Sequence, residues 1–179
     1  MRYRIIEQVG ARRKFVLVLD MGEEVTEAIT HFATELKIQG ASLTGIGALS
    51  SARLGWFNPT TKEFRENNVD EQAEVLSITG NIATGEDGHD HGHAHLHGDG
   101  DVKLHLHISV GLGDATVRGG HLVEGHVSPT MELIIAEAEE HMVRGVDAVT
   151  GLVLLEPRQK LTDTLVCPNA AATAARAVS

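Results

Sequence analysis

Three histidines at strand-compatible spacing are the residues of this chain best suited to chemistry. His105 and His107 stand in Leu104-His105-Leu106-His107-Ile108-Ser109-Val110, and His121 stands in Gly119-Gly120-His121-Leu122. Successive side chains of an extended strand point to opposite faces, so His105 and His107 share one face while Leu104, Leu106 and Ile108 share the other. Residues 111–118 hold enough turn chemistry to reverse the chain and set His121 beside that pair on an antiparallel neighbour. Adjacent strands lie roughly 5 Å apart and same-face residues about 7 Å apart, so three imidazoles can converge on a metal at about 2 Å.

Such a trio leaves a fourth tetrahedral position open. Imidazole suits zinc, copper, iron and nickel alike; Zn2+ is the first expectation, with other divalent transition metals as alternatives. Glu124 and His126 are candidates for a fourth ligand. Their spacing from His121 turns at least one of them to the opposite face unless Gly125 bulges the strand, and a core or rim role suits His126 better. The competing reading makes the three histidines exposed strand residues, satisfied by backbone carbonyls or by one another. No paired carboxylate, nucleophile with a base, or phosphate loop accompanies them, so no catalytic residue is assigned.

The elements that must position this trio follow from periodicity. Residues 2–9 and 14–21 read as a hairpin with its turn at Gly10-Ala11-Arg12-Arg13. Val25, Ile29, Phe32 and Leu36 recur at helical spacing behind the acidic Glu23-Glu24, which predicts one principal helix over about 23–38, stopped by Gly40 and packed on a sheet. The glycine-rich stretch from Ala41 to Phe57 reads as a bulged core strand, and Trp56 to Phe64 as a hairpin around Asn58-Pro59. Residues 74–83 predict another strand, with Val75, Leu76, Ile78 and Ile82 in the core. Beyond the histidine hairpin, residues 123–128 continue the His121 strand, and the element from Met131 fits a strand better than a helix. Residues 151–156 read as a short edge strand.

Residues 84–101 differ sharply in composition. His89, His91, His93, His95 and His97 alternate among glycines and acidic residues with nothing apolar to pack, which predicts a mobile insertion between two strands. Neutral imidazoles on a flexible segment bind metal weakly and exchange it readily, and this segment leads directly into the strand of His105. Loose metal capture that serves the His105 site is the role expected for it. The Ala-rich tail 158–179 is expected to be poorly ordered.

Composition narrows the function classes. Fifteen basic against 25 acidic residues give a formal charge of −10, which opposes attraction to a polyanion. The one basic cluster, Arg12-Arg13-Lys14, reads as a solvated hairpin tip rather than a phosphate contact. Cys167 stands alone, which excludes an intramolecular disulfide and points to a reducing compartment. With no apolar leader and no apolar run near 18 residues, a cytoplasmic location without membrane contact is expected.

Taken in order, the Gly22-Glu23-Glu24 helix start, Gly45-Ile46-Gly47, Glu74-Val75-Leu76-Ser77-Ile78-Thr79-Gly80, Leu104-His105-Leu106-His107, and Gly119-Gly120-His121-Leu122 with Gly125 resemble the PPC (plants and prokaryotes conserved) domain. The resemblance covers roughly residues 2–156. It implies an α+β fold, mainly antiparallel β-sheet with one principal helix packed on it, assembled as a homotrimer. It also implies metal-binding histidines of the kind found in some prokaryotic members, which carry over to His105, His107 and His121. Plant members join this domain to an AT-hook that reads the minor groove. No Arg-Gly-Arg-Pro stands here, so DNA binding rests on fold-level association alone.

The chain is thus expected to hold one PPC-like domain over 1–157, with the His-rich insertion at 84–101 and the tail at 158–179. The leading function is a zinc-binding module with an unidentified small-molecule ligand and itself as partner. A zinc-dependent enzyme of hydrolase or lyase type, using the open coordination position, is the alternative. A DNA-binding regulator is the third reading.

Overall fold

The computed structural model describes residues 1–85 and 102–157. His89, His91, His93, His95, His97, Cys167 and the tail 158–179 lie outside the described residues. The described chain folds as one nine-stranded mixed sheet with a single short helix.

β1 (Arg2–Val9) and β2 (Arg12–Asp20) form the expected antiparallel hairpin. Phe15, Leu17 and Leu19 of β2 alternate into the core, which they share with Val25, Ile29 and Phe32 of the helix, α1 (Val25–Glu35). Phe15 and Phe32 pack edge to face with centroids 5.3 Å apart. α1 is shorter at both ends than the expected 23–38. Glu24 is its N-cap rather than part of its first turn, and one carboxylate oxygen accepts the Glu27 N–H at 2.7 Å. The other accepts the Gly125 N–H at 2.9 Å, tying the helix start to the strand that carries His121. Gly40 is not the stop. Lys37 already takes a left-handed conformation (φ 54), and Leu36 caps the helix.

Arg13 is not solvated, in contrast to the reading of a free basic tip. Its guanidinium pairs with Glu137 and donates to the Leu36 carbonyl at 2.9 Å, so it helps close the C-terminal end of α1. Arg12 remains exposed beside Glu139, and half-buried Lys14 lies beside Glu7.

The rest of the sheet consists of β3 (Ala41–Asn58), β4 (Glu63–Val69), β5 (Ala73–Gly85), β6 (Val102–Gly111), β7 (Val117–Glu137), β8 (Val143–Val146) and β9 (Val153–Glu156). Every ladder is antiparallel except that of β5 with β8. β3 pairs with β5 and β7, and β6 pairs with β5 and β7, so these four strands close a circuit. Leu104, Leu106, Ile108 and Val110 from β6 and Leu122 and Val127 from β7 are buried in the same core cluster as Val25, Ile29 and Phe32 of α1.

Three further differences from the sequence reading have local causes. The two elements expected on either side of Ser128 are one strand, β7, and the Ser128–Pro129 bond within it is cis. Residues 128–130 stand opposite Ala48 alone, so the ladder steps past Pro129, which has no N–H to contribute. Leu76 is 51% exposed rather than in the core, because it is the extra residue of a bulge between Val75 and Ser77. β8 has no counterpart in the sequence reading. It is four residues long and is defined by its partners β5 and β9 rather than by its own pattern. No helix among the described residues is long and apolar enough to cross a membrane.

Replacing Glu24 with Ala removes three hydrogen bonds, from the Thr26 hydroxyl and the Glu27 and Gly125 N–H groups, and leaves all three donors in place. The expected loss is about 1–2 kcal/mol, read as a lower denaturant midpoint at unchanged slope. An unchanged midpoint would show that the cap carries no weight.

Candidate metal centre

The hairpin of β6 and β7 delivers the convergence that the spacing requires. His107 and His121 face each other directly across the ladder, and His105 lies two residues before His107 on the same face. Ring centroids are 5.1 Å apart for His105 and His107, 5.3 Å for His105 and His121, and 5.6 Å for His107 and His121. The ligand nitrogens of all three lie within 4.8 Å of one another. The Nε2 atoms of His105 and His107 are 3.2 Å apart. Tetrahedral ligands on zinc stand about 3.3 Å apart, so small imidazole rotations bring the whole trio to ligating distance. The residues fit a metal.

The trio grades in exposure, from His107 at the surface through half-buried His105 to His121 at 8% exposure. The floor is built from elements that a local reading does not connect. His121 also faces Gly55 of β3, and the Phe64 ring of β4 crosses the space where Gly55 has no Cβ. Phe64 then meets the His121 ring edge to face at 5.9 Å. On the other side Gly80 allows β5 to press against β6, since an added Cβ would collide with the His105 carbonyl oxygen.

Burial pushes the pKa of His105 below its ordinary value, and the nearby positive charge of Arg144 and the His107 ring push in the same direction. The neutral imidazole is therefore favoured, which is the form that binds a metal. Arg144, from β8, is 1% exposed and donates to the Asn81 side-chain oxygen. Burial lowers its own pKa to about 10, which leaves it charged at neutral pH.

Glu124 and His126 do not join the trio. The irregularity in β7 falls at Val123 rather than Gly125, since Arg53 faces Glu124 while Leu54 faces Leu122. Glu124 accepts from Arg53 at 2.7 Å and pairs with the His126 ring at 3.0 Å, so these two residues serve each other. Phe64, Asn81 and Arg144 are the surroundings that sequence reasoning missed. Gly55 and Gly80 were the available signals for close approach, and nothing local marks Arg144.

The Plants and Prokaryotes Conserved (PCC) domain model matches residues 6–139, about three quarters of the chain. The chain belongs to this family. Solved PCC-like structures agree with its fold. A plant- and prokaryote-conserved protein from Pyrococcus horikoshii is 28% identical, with 86% of this chain and 100% of that chain covered at a TM-score of 0.69. A protein from Archaeoglobus fulgidus described as metal-containing is 27% identical, covering 87% of this chain and 97% of that one, also at 0.69. A candidate DNA-binding protein from Bacteroides thetaiotaomicron is 28% identical, with 86% and 96% covered at 0.70. No curated protein matches the chain. Arg144 lies beyond the residues that the PCC model matches, whereas all three histidines lie within them.

Because the folded state disfavours the His105 proton, this group's contribution to stability is complete above about pH 6.5 and is lost as pH falls through its lower folded value. NMR titration of metal-free protein is expected to place the His105 imidazole below 6.5. A value at or above that would contradict its burial.

Proposed function

We propose that this PCC-family protein is a zinc-binding module in which His105, His107 and His121 hold the ion. The observation that carries this reading is the meeting of three ring nitrogens within 4.8 Å on one face of a hairpin whose other face is core. Neutral imidazoles in this number match zinc sites that keep a coordination position for an exogenous ligand, and a metal held this way acts as a Lewis acid and acidifies bound water. The metal-containing relative from Archaeoglobus fulgidus adds support for a metal in this fold.

The protein works as a homotrimer in the cytoplasm. Exposed Ile46, Trp56, Leu76 and Val117 supply apolar surface suited to self-association, and the resemblance to PPC proteins supplies the number three. A single cysteine suits a reducing compartment. The His-rich segment with His89, His91, His93, His95 and His97 serves as an auxiliary metal-capturing loop. DNA binding is the weaker reading for this chain, because its net charge is −10 and Arg13, central to its basic cluster, is engaged with Glu137.

Metal analysis by plasma mass spectrometry on tag-free protein tests the site. About one zinc per chain is expected in wild type, retained when residues 86–100 are deleted and lost in His105→Ala with His121→Ala. No retained metal in wild type would make the trio structural. Loading rate and stoichiometry unchanged by the deletion would remove the capture role from the loop. Sedimentation of the same preparations is expected to give a trimer, and a monomer would overturn the assembly.

A further inference from the structure

Among the described residues, Arg144 is the buried charge that no countercharge answers. It is 1% exposed, its Nε is buried without a hydrogen-bond partner, and among the described residues it has no salt-bridge partner. Its side-chain acceptor is the neutral amide oxygen of Asn81. A buried guanidinium ordinarily pairs with a carboxylate, because desolvating a full charge is costly when only a dipole answers it.

The location of this charge gives it meaning. Asn81 on β5 stands directly opposite His105 on β6, and side chains directly opposite each other share one face of the ladder. The guanidinium that bonds Asn81 is thus held beside the histidine face, close enough for its charge to act on His105. The trio itself opens toward solvent at His107. A divalent ion on three neutral imidazoles would add two positive charges next to this one, and no carboxylate of the described residues belongs to the group. Two cations so placed repel each other, and an anion that reaches both converts the repulsion into attraction on each side.

We propose that Arg144 makes the three-His centre a binding site for a small carboxylate, drawn in jointly by the metal's open coordination position and by the guanidinium. The inference rests on the zinc reading above for one of its two attractions. Carboxylate suits the second better than phosphate does, because one planar guanidinium matches one carboxylate in charge and in fork geometry. A phosphate dianion needs further donors, and among the described residues Arg144 is the buried cation here. Asn81 is a positioning residue that fixes the guanidinium on the site's face. Arg144 and the strand β8 that carries it lie beyond residues 6–139, the portion that the family model matches.

Calorimetric titration of zinc-loaded and metal-free full-length protein with acetate and glycolate tests the idea, with acetamide and inorganic phosphate as comparators. Wild-type protein is expected to bind the carboxylates in preference to acetamide and phosphate. R144M is expected to weaken carboxylate binding about 10- to 100-fold with zinc content unchanged, and R144K to fall between the two. Equal affinity for acetate and acetamide in wild type overturns the proposal without recourse to any variant, as does preferred binding of phosphate. Undiminished carboxylate binding by folded R144M or R144K overturns it too, and gives Arg144 a purely structural role in anchoring β8. If wild type retains no zinc yet still binds carboxylate in an Arg144-dependent way, the anion subsite stands and the zinc reading fails. If zinc is held and carboxylate binding ignores Arg144, the reverse holds.

Discussion

The strict alternation of β6 is the constraint on which the rest of the structure depends. Leu104, Leu106, Ile108 and Val110 are all nearly inaccessible, and full burial of such side chains is worth about 1.5–3 kcal/mol each. A slip of one residue would expose all four and drive His105 and His107 into the core. The apolar face therefore fixes the polar face, and the imidazoles are held in place by the apolar side chains of the opposite face. Pairing on both sides strengthens the effect, because β5 pairs with β6 from Val102 to Gly111 and β7 pairs with it from His107 to Gly111, so each locks its register.

A second layer of support comes from residues chosen for what they lack. Gly55 leaves room for the Phe64 ring beneath His121, and Gly80 lets β5 approach the His105 backbone. Glu24 works at a longer distance, capping α1 with one oxygen and holding Gly125 with the other. The helix start and the histidine-bearing strand are thereby joined through one carboxylate. Arg13 does the corresponding work at the other end of α1, where it reaches both Glu137 of β7 and the Leu36 carbonyl.

The electrostatics of the centre follow from burial more than from any single pair. His105 is held toward its neutral form chiefly by desolvation, with the Arg144 charge adding to it. Arg144 is itself the most deeply placed cation among the described residues, and its lowered pKa comes from the same cause. A site that sets half-buried His105, held toward its neutral form, beside a buried guanidinium with no salt-bridge partner among the described residues is electropositive before any metal arrives. This local character contrasts with a chain that is strongly acidic as a whole.

What the sequence by itself determined was every feature whose cause is local. Alternating Leu and His gave the faces of β6, turn residues reversed the chain before His121, and helical spacing located α1 to within a few residues of its ends. The family was equally legible, because it is written in the order of short motifs. What only the tertiary structure decided were the features set by partners distant in the chain. Glu24 meets Gly125 across 101 residues, and Arg13 meets Glu137 across 124. The bulges that expose Leu76, carry β7 past Pro129 and turn Glu124 away from the trio exist only in ladders with particular neighbours. Arg144 is the clearest case. It looks like an ordinary surface arginine in the sequence, and it becomes a buried charge beside His105 only because β8 pairs with β5 and Asn81 lies 63 residues away to receive it.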